Sequence, residues 1–300
     1  MGDVPVEVAL RVHAEHAEGP LWDAATARLW WVDIAGKRVH CFDPQSSEDG
    51  WWSTMGEPGG VVLTTTGEPV VASPEGLAVL DCRTGGFALR VPIERDRPEN
   101  RANDIKVDAR GRAWVGTMAF DKRPQNAALY RVVGETATRV VDGLTISNGP
   151  AFDDRRERLY LADTALCIVY VFALDPETGA LGDRRRFLDL SDTHVWPDGM
   201  TVDDEGMLWT ALGRASAVHR YRPDGTLDGV VELPTTNPTS VAFGGLDGDE
   251  LYITSSWVDC EPASRAAQPL AGAIFRCRPG VTGPPSPRWA GLPTEKGDAG

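Results

Sequence analysis

Short apolar runs rich in Val, Ile, Leu, Trp and Tyr recur along the whole chain, separated by Gly, Pro and Asp-Gly punctuation. None sustains a helical period over the roughly 10–15 residues a core helix needs, so the pattern predicts a many-stranded sheet protein. The strands also repeat. EGPLWDAATARLWWVDI from Glu18, NDIKVDARGRAWVGTM from Asn103, NGPAFDDRRERLYLADT from Asn148 and DGMTVDDEGMLWTALG from Asp198 each carry an acid five residues on (Asp23, Asp108, Asp153, Asp203). A short polar turn and an apolar aromatic strand follow in each. Weaker copies are GVVLTTTGEPVVAS from Gly60 and PTSVAFGGLDGDELYITSS from Pro238.

The copies start at 18, 60, 103, 148, 198 and 238, which separates them by 42, 43, 45, 50 and 40 residues, the length of one four-stranded propeller blade. Six copies predict an all-β, six-bladed β-propeller. Pieces such as RVHCFDP, LAVLDCR, LYRVV, VYVFALD, VHRYRPDG and IFRCRPG supply the strands farther from the axis. VEVALRV near the N-terminus is expected to add a strand to the last blade and lock the ring, which removes exposed sheet edges. The chain reads as one propeller domain over residues 1–300. Residues from about 281 to 300 form a loose Gly- and Pro-rich tail with one strand-like piece, PRWAG.

Composition narrows the function classes. The 300 residues are 42% hydrophobic and 25% charged, the balance of a globular chain and not of a disordered one. A formal net charge of -14 disfavours nucleic-acid phosphates and anionic membrane surfaces as partners. The N-terminus has acids where a secretory signal needs a basic start, and no apolar stretch reaches membrane-spanning length, so a cytoplasmic location is expected. Five cysteines (Cys41, Cys82, Cys167, Cys260, Cys277), odd in number and in no CxxC pair, read as reduced residues, most of them in strands.

In a propeller the first strand of each blade lines the central channel, so residues opening equivalent strands converge at one end of it. Those positions read Glu18, Gly60, Asn103, Asn148, Asp198 and Pro238. Two carboxylates and two carboxamides make an oxygen donor set that suits Ca²⁺, Mg²⁺ or Mn²⁺, and carboxylates also take Zn²⁺. Taken singly, Asn148-Gly149 and Asp198-Gly199 read as ordinary turn pairs. Taken in register with Glu18, a poor turn former, they point to one divalent cation in the channel, because clustered buried oxygens are costly without a partner.

Other chemistries lack their signatures. The five histidines show no HxxxH or HExxH spacing and no G-x-S-x-G elbow occurs, which removes zincin and α/β-hydrolase mechanisms. No phosphate loop or dinucleotide fingerprint follows a strand. His194, four residues before Asp198 in HVWPDG, reads as a solvated loop residue that could rim the pocket with Trp196.

AEGPLWD, RANDIKVDARGRAWVGTM, SNGPAFD with LYLADT, PDGMTVDDEGMLW and PTSVAFGGLDGDELYITSS together resemble the SMP-30/gluconolactonase/luciferin-regenerating enzyme family, from about Glu18 to about Gly291. The resemblance implies metal-dependent hydrolysis of a small-molecule sugar lactone such as gluconolactone. It implies Glu18, Asn148 and Asp198 as metal ligands, with Asp198 also the proton acceptor and donor. It further implies substrate contacts from Arg101, Asn103 and Asp121, the last an Asp where other members carry the longer Glu. Two other readings stand beside it: a non-catalytic propeller whose ion only stiffens the channel, and a hydrolase of aryl lactones or phosphotriesters on the same scaffold.

Overall fold

The computed structural model of the protein describes residues 4–258, 260 and 265–291. Its strands form six four-stranded sheets, each ordered outward from one inner strand. The inner strands are Ala17–Asp23, Gly60–Leu63, Asn100–Val107, Ser147–Asp153, Trp196–Val202 and Pro238–Gly244, one in each predicted repeat. The protein is a six-bladed β-propeller. Its sixth blade takes its outermost strand, Val6–Leu10, from the N-terminus, with Val6 opposite Cys277 and Val8 opposite Phe275. Closure therefore joins the first strand of the chain to the last blade, as the VEVALRV segment predicts.

The acids shared by the repeats shape the hairpins behind the inner strands. Asp108 accepts the N–H groups of Arg110 and Arg112 on Oδ1 and the indole N–H of Trp114 on Oδ2. Asp203 does the same for Glu205, Met207 and Trp209. One carboxylate thus closes the turn and fixes an indole that is fully buried in each blade. Removing either Trp would cost about 3–5 kcal/mol by the usual measure for a buried aromatic.

A second recurring acid lies at the other end of the hairpin. Asp33 accepts the N–H groups of Glu15 and His16, and Asp163 accepts those of Thr145 and Ile146. In both blades the carboxylate anchors the chain two residues before a predicted ligand, Glu18 in one and Asn148 in the other.

Two expectations are corrected. Residues 281–291 are packed and not loose: Trp289 is buried beside Val61, Leu63 and Ile105, donates its N–H to Leu63 and accepts the N–H of Thr65, while Ala290 donates to Gly111 and Arg288 pairs with Asp23. Burial of the indole offsets the ordering entropy that Gly and Pro content alone suggested would win. The remainder of the predicted tail, 292–300, lies outside the described residues. All five cysteines are free, but only Cys41 and Cys277 lie in the described strands, whereas Cys82, Cys167 and Cys260 sit between them.

Among the described residues no helix is long and apolar enough to cross a membrane.

Candidate active site at the channel mouth

Five of the six inner strands break their pairing register near the start, between Glu18 and Leu21, Ala102 and Asp104, Asn148 and Ala151, Pro197 and Met200, and Pro238 and Val241. The second blade, Gly60 to Leu63, pairs without interruption. A bulge re-aims side chains that a regular pleat would send to the blade faces. Here the re-aimed residues include Glu18, Asn103, Asn148 and Asp198.

Glycine serves two of these bulges. Gly19 and Gly149 adopt left-handed φ values of 54° and 51°. A Cβ on Gly149 would lie 2.6 Å from the Asp198 carbonyl oxygen, so the glycine also lets blades four and five approach at the axis. The Asn148-Gly149 and Asp198-Gly199 pairs are thus parts of inner strands and not hairpin turns.

The groups brought together are buried and mutually engaged. Glu18, Asn148 and Asn103 are buried and Asp198 is partly exposed. The Asn103 amide donates to the carbonyl of Ser147 at 3.1 Å and to Oδ1 of Asn148 at 2.7 Å. Asn148 in turn donates to Thr164 at 2.9 Å. Glu18 takes the Gly19 N–H at 2.6 Å and shares a hydrogen bond with Asp198. Burial, followed by the nearby Asp104 charge, pushes the Glu18 carboxyl up to about 8.

Arg101 is buried beside this group. Its guanidinium is held by Glu57 at 3.1 Å and by the carbonyl of Ala102 at 2.9 Å. Burial lowers its basicity, while the charges of Glu57 and Glu18 act in the opposite sense. Asp121 follows the strand whose Met118 pairs with Arg101, so it shares that end of the blade. It is exposed, however, and its carboxylate is clasped by the Arg123 guanidinium, which holds it below the usual carboxylate range. His194 is exposed in a left-handed residue ending the short 3₁₀ turn Ser191–Thr193, and Trp196 lies under the Arg214 guanidinium at 3.5 Å.

Three neighbours escaped the sequence reading. Asp104 is fully buried, accepts the N–H of Ile105 on one oxygen and of Gly149 on the other, and is raised by burial. It directly follows Asn103, one position past the residue that the repeat register marks. Glu57 lies in the loop before the second inner strand, where no period marks it. Thr164 follows the anchoring Asp163, and only the fold brings it to Asn148.

The donor chemistry fits a hard cation. Two carboxyl groups meet in a buried place with a third acid, Asp104, behind them, and in the absence of a cation one of the pair must keep a proton. Among the described residues no three His, Cys, Asp or Glu side chains gather to hold an ion, so a cation here would need an amide oxygen such as that of Asn148 beside the carboxylates.

The family description SMP-30/Gluconolactonase/LRE-like region matches residues 16–257, which spans every inner strand. The chain belongs to this family. Among its relatives, pentonolactonase XacC of Haloferax volcanii is 36% identical over 281 residues, covering 89% of this chain and 92% of the relative. Regucalcin of Danio rerio is 32% identical over 280 residues, covering 92% and 95%. A solved structure described as a calcium-binding protein, regucalcin, from Agrobacterium tumefaciens superposes with a TM-score of 0.91 at 26% identity, covering 96% of this chain and 98% of that one. The family resemblance drawn from the quoted motifs is thereby established, together with the propeller fold.

Proposed function

We propose that this protein hydrolyses a sugar lactone to the corresponding hydroxy acid at the channel mouth, with the help of one divalent ion. The observation that carries the reading is the convergence of buried Glu18 and Asn148 with partly exposed Asp198, beside buried Arg101 and Asn103. Relatives named as lactonases, including the 36% identical pentonolactonase, support the reaction class. The calcium-binding description of the structural neighbour supports an ion, although Ca²⁺, Zn²⁺, Mn²⁺ and Mg²⁺ all suit the oxygen donors. Closure of the sixth blade by the N-terminal strand supports reading the chain as one domain, and five free cysteines suit a reducing cytoplasm.

Glu18, Asn148 and Asp198 would hold the ion, which when bound supplies a Lewis acid for the lactone carbonyl and lowers the pKa of water. Asp198, the partly exposed member of the set, accepts a proton from the attacking water. As the bond from carbonyl carbon to ring oxygen breaks, it returns that proton to the departing alkoxide, so one water is consumed and the ring opens. Arg101 donates to substrate hydroxyls. Asn103 has both amide hydrogens engaged within the protein, so it offers its Oδ1 as an acceptor and selects a hydroxyl that donates. Together they fix which carbonyl face meets the water. Asp121 reaches substrate only by releasing Arg123, which makes it the weakest member of the substrate set.

The test is a panel of aldonolactones assayed by acid release, before and after exhaustive chelation and with each of the four ions restored. Ring opening that is lost on chelation and regained with an ion is expected. Full activity in the chelated protein would remove the ion from the mechanism, and no turnover of any lactone by the loaded protein would favour the non-catalytic propeller.

A further inference from the structure

Asn148 can act as an oxygen ligand only if its carboxamide presents Oδ1, not Nδ2, to the axis. Amide oxygen and nitrogen have nearly the same size, so shape alone does not choose between them. The choice is made on the far side of the side chain. Thr164, 8% exposed, takes the Asn148 Nδ2 hydrogen on its hydroxyl oxygen at 2.9 Å and donates its own hydrogen to the carbonyl of Pro197 at 2.7 Å.

That second bond sets the direction of the first. The Pro197 oxygen can only accept, so the Thr164 hydrogen is committed to it and the hydroxyl faces Asn148 with lone pairs. A flipped amide would set Oδ1 against those lone pairs and Nδ2 against the donating Nδ2 of Asn103, losing both hydrogen bonds. Pro197 is also the residue before Asp198, so the same hydroxyl ties the fourth-blade ligand to the backbone carrying the fifth-blade ligand. Thr164 is itself fixed, because its N–H donates to Ile146 and the preceding Asp163 grips the N–H groups of Thr145 and Ile146.

We infer that Thr164 is a positioning residue of the ion site: it orients the Asn148 carboxamide so that oxygen faces the cation, and it couples that ligand to Asp198. The inference rests on the ion reading proposed above and assigns a function to a hydroxyl that touches neither ion nor substrate.

The experiment measures binding of Mn²⁺ alone and of Ca²⁺ alone to the chelated, full-length protein by isothermal titration calorimetry, with melting temperature recorded on the same samples. Thr164→Val keeps the shape and removes the hydroxyl, and is expected to weaken the ion about 10–100-fold, the range for loss of an outer-shell partner. Thr164→Ala carries the same expectation, so the result does not depend on the valine being accommodated. Thr164→Ser keeps the hydroxyl and should stay within about threefold of the parent, since the methyl group it loses carries no hydrogen bond. In an Asn148→Asp background, where either side of the carboxyl presents oxygen, Thr164→Val should add no more than about threefold, which shows as coupling in the double-mutant cycle.

Unchanged ion affinity in both Thr164→Val and Thr164→Ala overturns the inference. So does a weakening that serine shares and that follows the loss of melting temperature, because that is the mark of a purely structural contact between blades. A parent protein that binds neither ion sinks the ion reading itself, which is a different and recognisable failure.

Discussion

Asn103 donates a 2.7 Å hydrogen bond to Oδ1 of Asn148, so a residue read as a substrate contact also touches a residue read as an ion ligand. The bond joins the third blade to the fourth at the axis. Asn103→Ala should lower kcat/KM about 5–10-fold through the lost hydrogen bonds and also weaken the ion, because Asn148 loses one of its two fixed partners. Steady-state kinetics at saturating ion, with ion affinity measured separately, check both parts. A change in kinetics with no change in ion affinity would confine Asn103 to the substrate.

The blade count, the strand positions, the ring closure and the inward convergence of Glu18, Asn103, Asn148 and Asp198 were legible because each rests on a repeated local pattern. Asp23, Asp108, Asp153 and Asp203 recur at one offset, and Asp108 and Asp203 show why, each closing a turn and binding an indole. What repetition does not encode was not legible. Glu57 and Thr164 occur in single blades and reach the site only through neighbours distant in sequence. The PRWAG piece read as strand-like does pair, through Trp289 and Thr64, but the burial of Trp289 among other blades' residues depends on contacts distant in sequence.

Glu57 holds the buried Arg101 guanidinium at 3.1 Å. Arg101→Ala should lower kcat/KM about 10–100-fold, the worth of a hydrogen bond from a charged donor, and should act largely through KM if the contact is present in ground and transition states alike. Glu57→Gln leaves the arginine in place but frees it to turn, so it should raise KM about 3–10-fold with little change in kcat. Kinetics of the two variants on the best lactone decide the point. A Glu57→Gln protein with parental KM would mean that Ala102 and packing alone position the guanidinium.

With Glu18 as an ion ligand, as proposed, its raised carboxyl makes ion binding a competition with a proton. In the ion-free fold it stays protonated up to about 8, whereas in the unfolded chain it ionises near 4.5. The folded state then holds the extra proton, so this group's contribution to stability is full below 4.5 and is lost as pH rises through about 8. A cation needs the carboxylate. Apparent affinity for Mn²⁺ should therefore climb about tenfold per pH unit towards pH 8 and then level, with one proton released per ion at pH 7 and none at pH 9. Titration calorimetry in buffers of different ionisation enthalpy measures that proton. Affinity independent of pH, with no proton released, would mean that Glu18 is already ionised in the ion-free fold or takes no part in binding, and loss of ion affinity in Glu18→Gln tells the two apart.

In the proposed mechanism Asp198 combines two roles, ion ligand and proton acceptor. It is partly exposed where Glu18 and Asn148 are buried, which favours it over them as the member that meets incoming water. Its hydrogen bond with Glu18 shows that the two carboxyl groups already share one place, which a cation bound to both would fill. Asp198→Asn retains the shape and one oxygen donor but removes the charge and the proton acceptor. At saturating ion kcat should fall at least about 10²-fold, the lower range for a lost general base, while KM changes much less. Glu18→Gln should differ in kind: it weakens the ion, and raising the ion concentration should recover most of kcat. Stopped-flow acid release over a range of ion concentrations separates the two behaviours. If excess ion restores Asp198→Asn as fully as Glu18→Gln, Asp198 is a ligand only, and the proton acceptor must be sought elsewhere, with Asp121 and His194 the next to test.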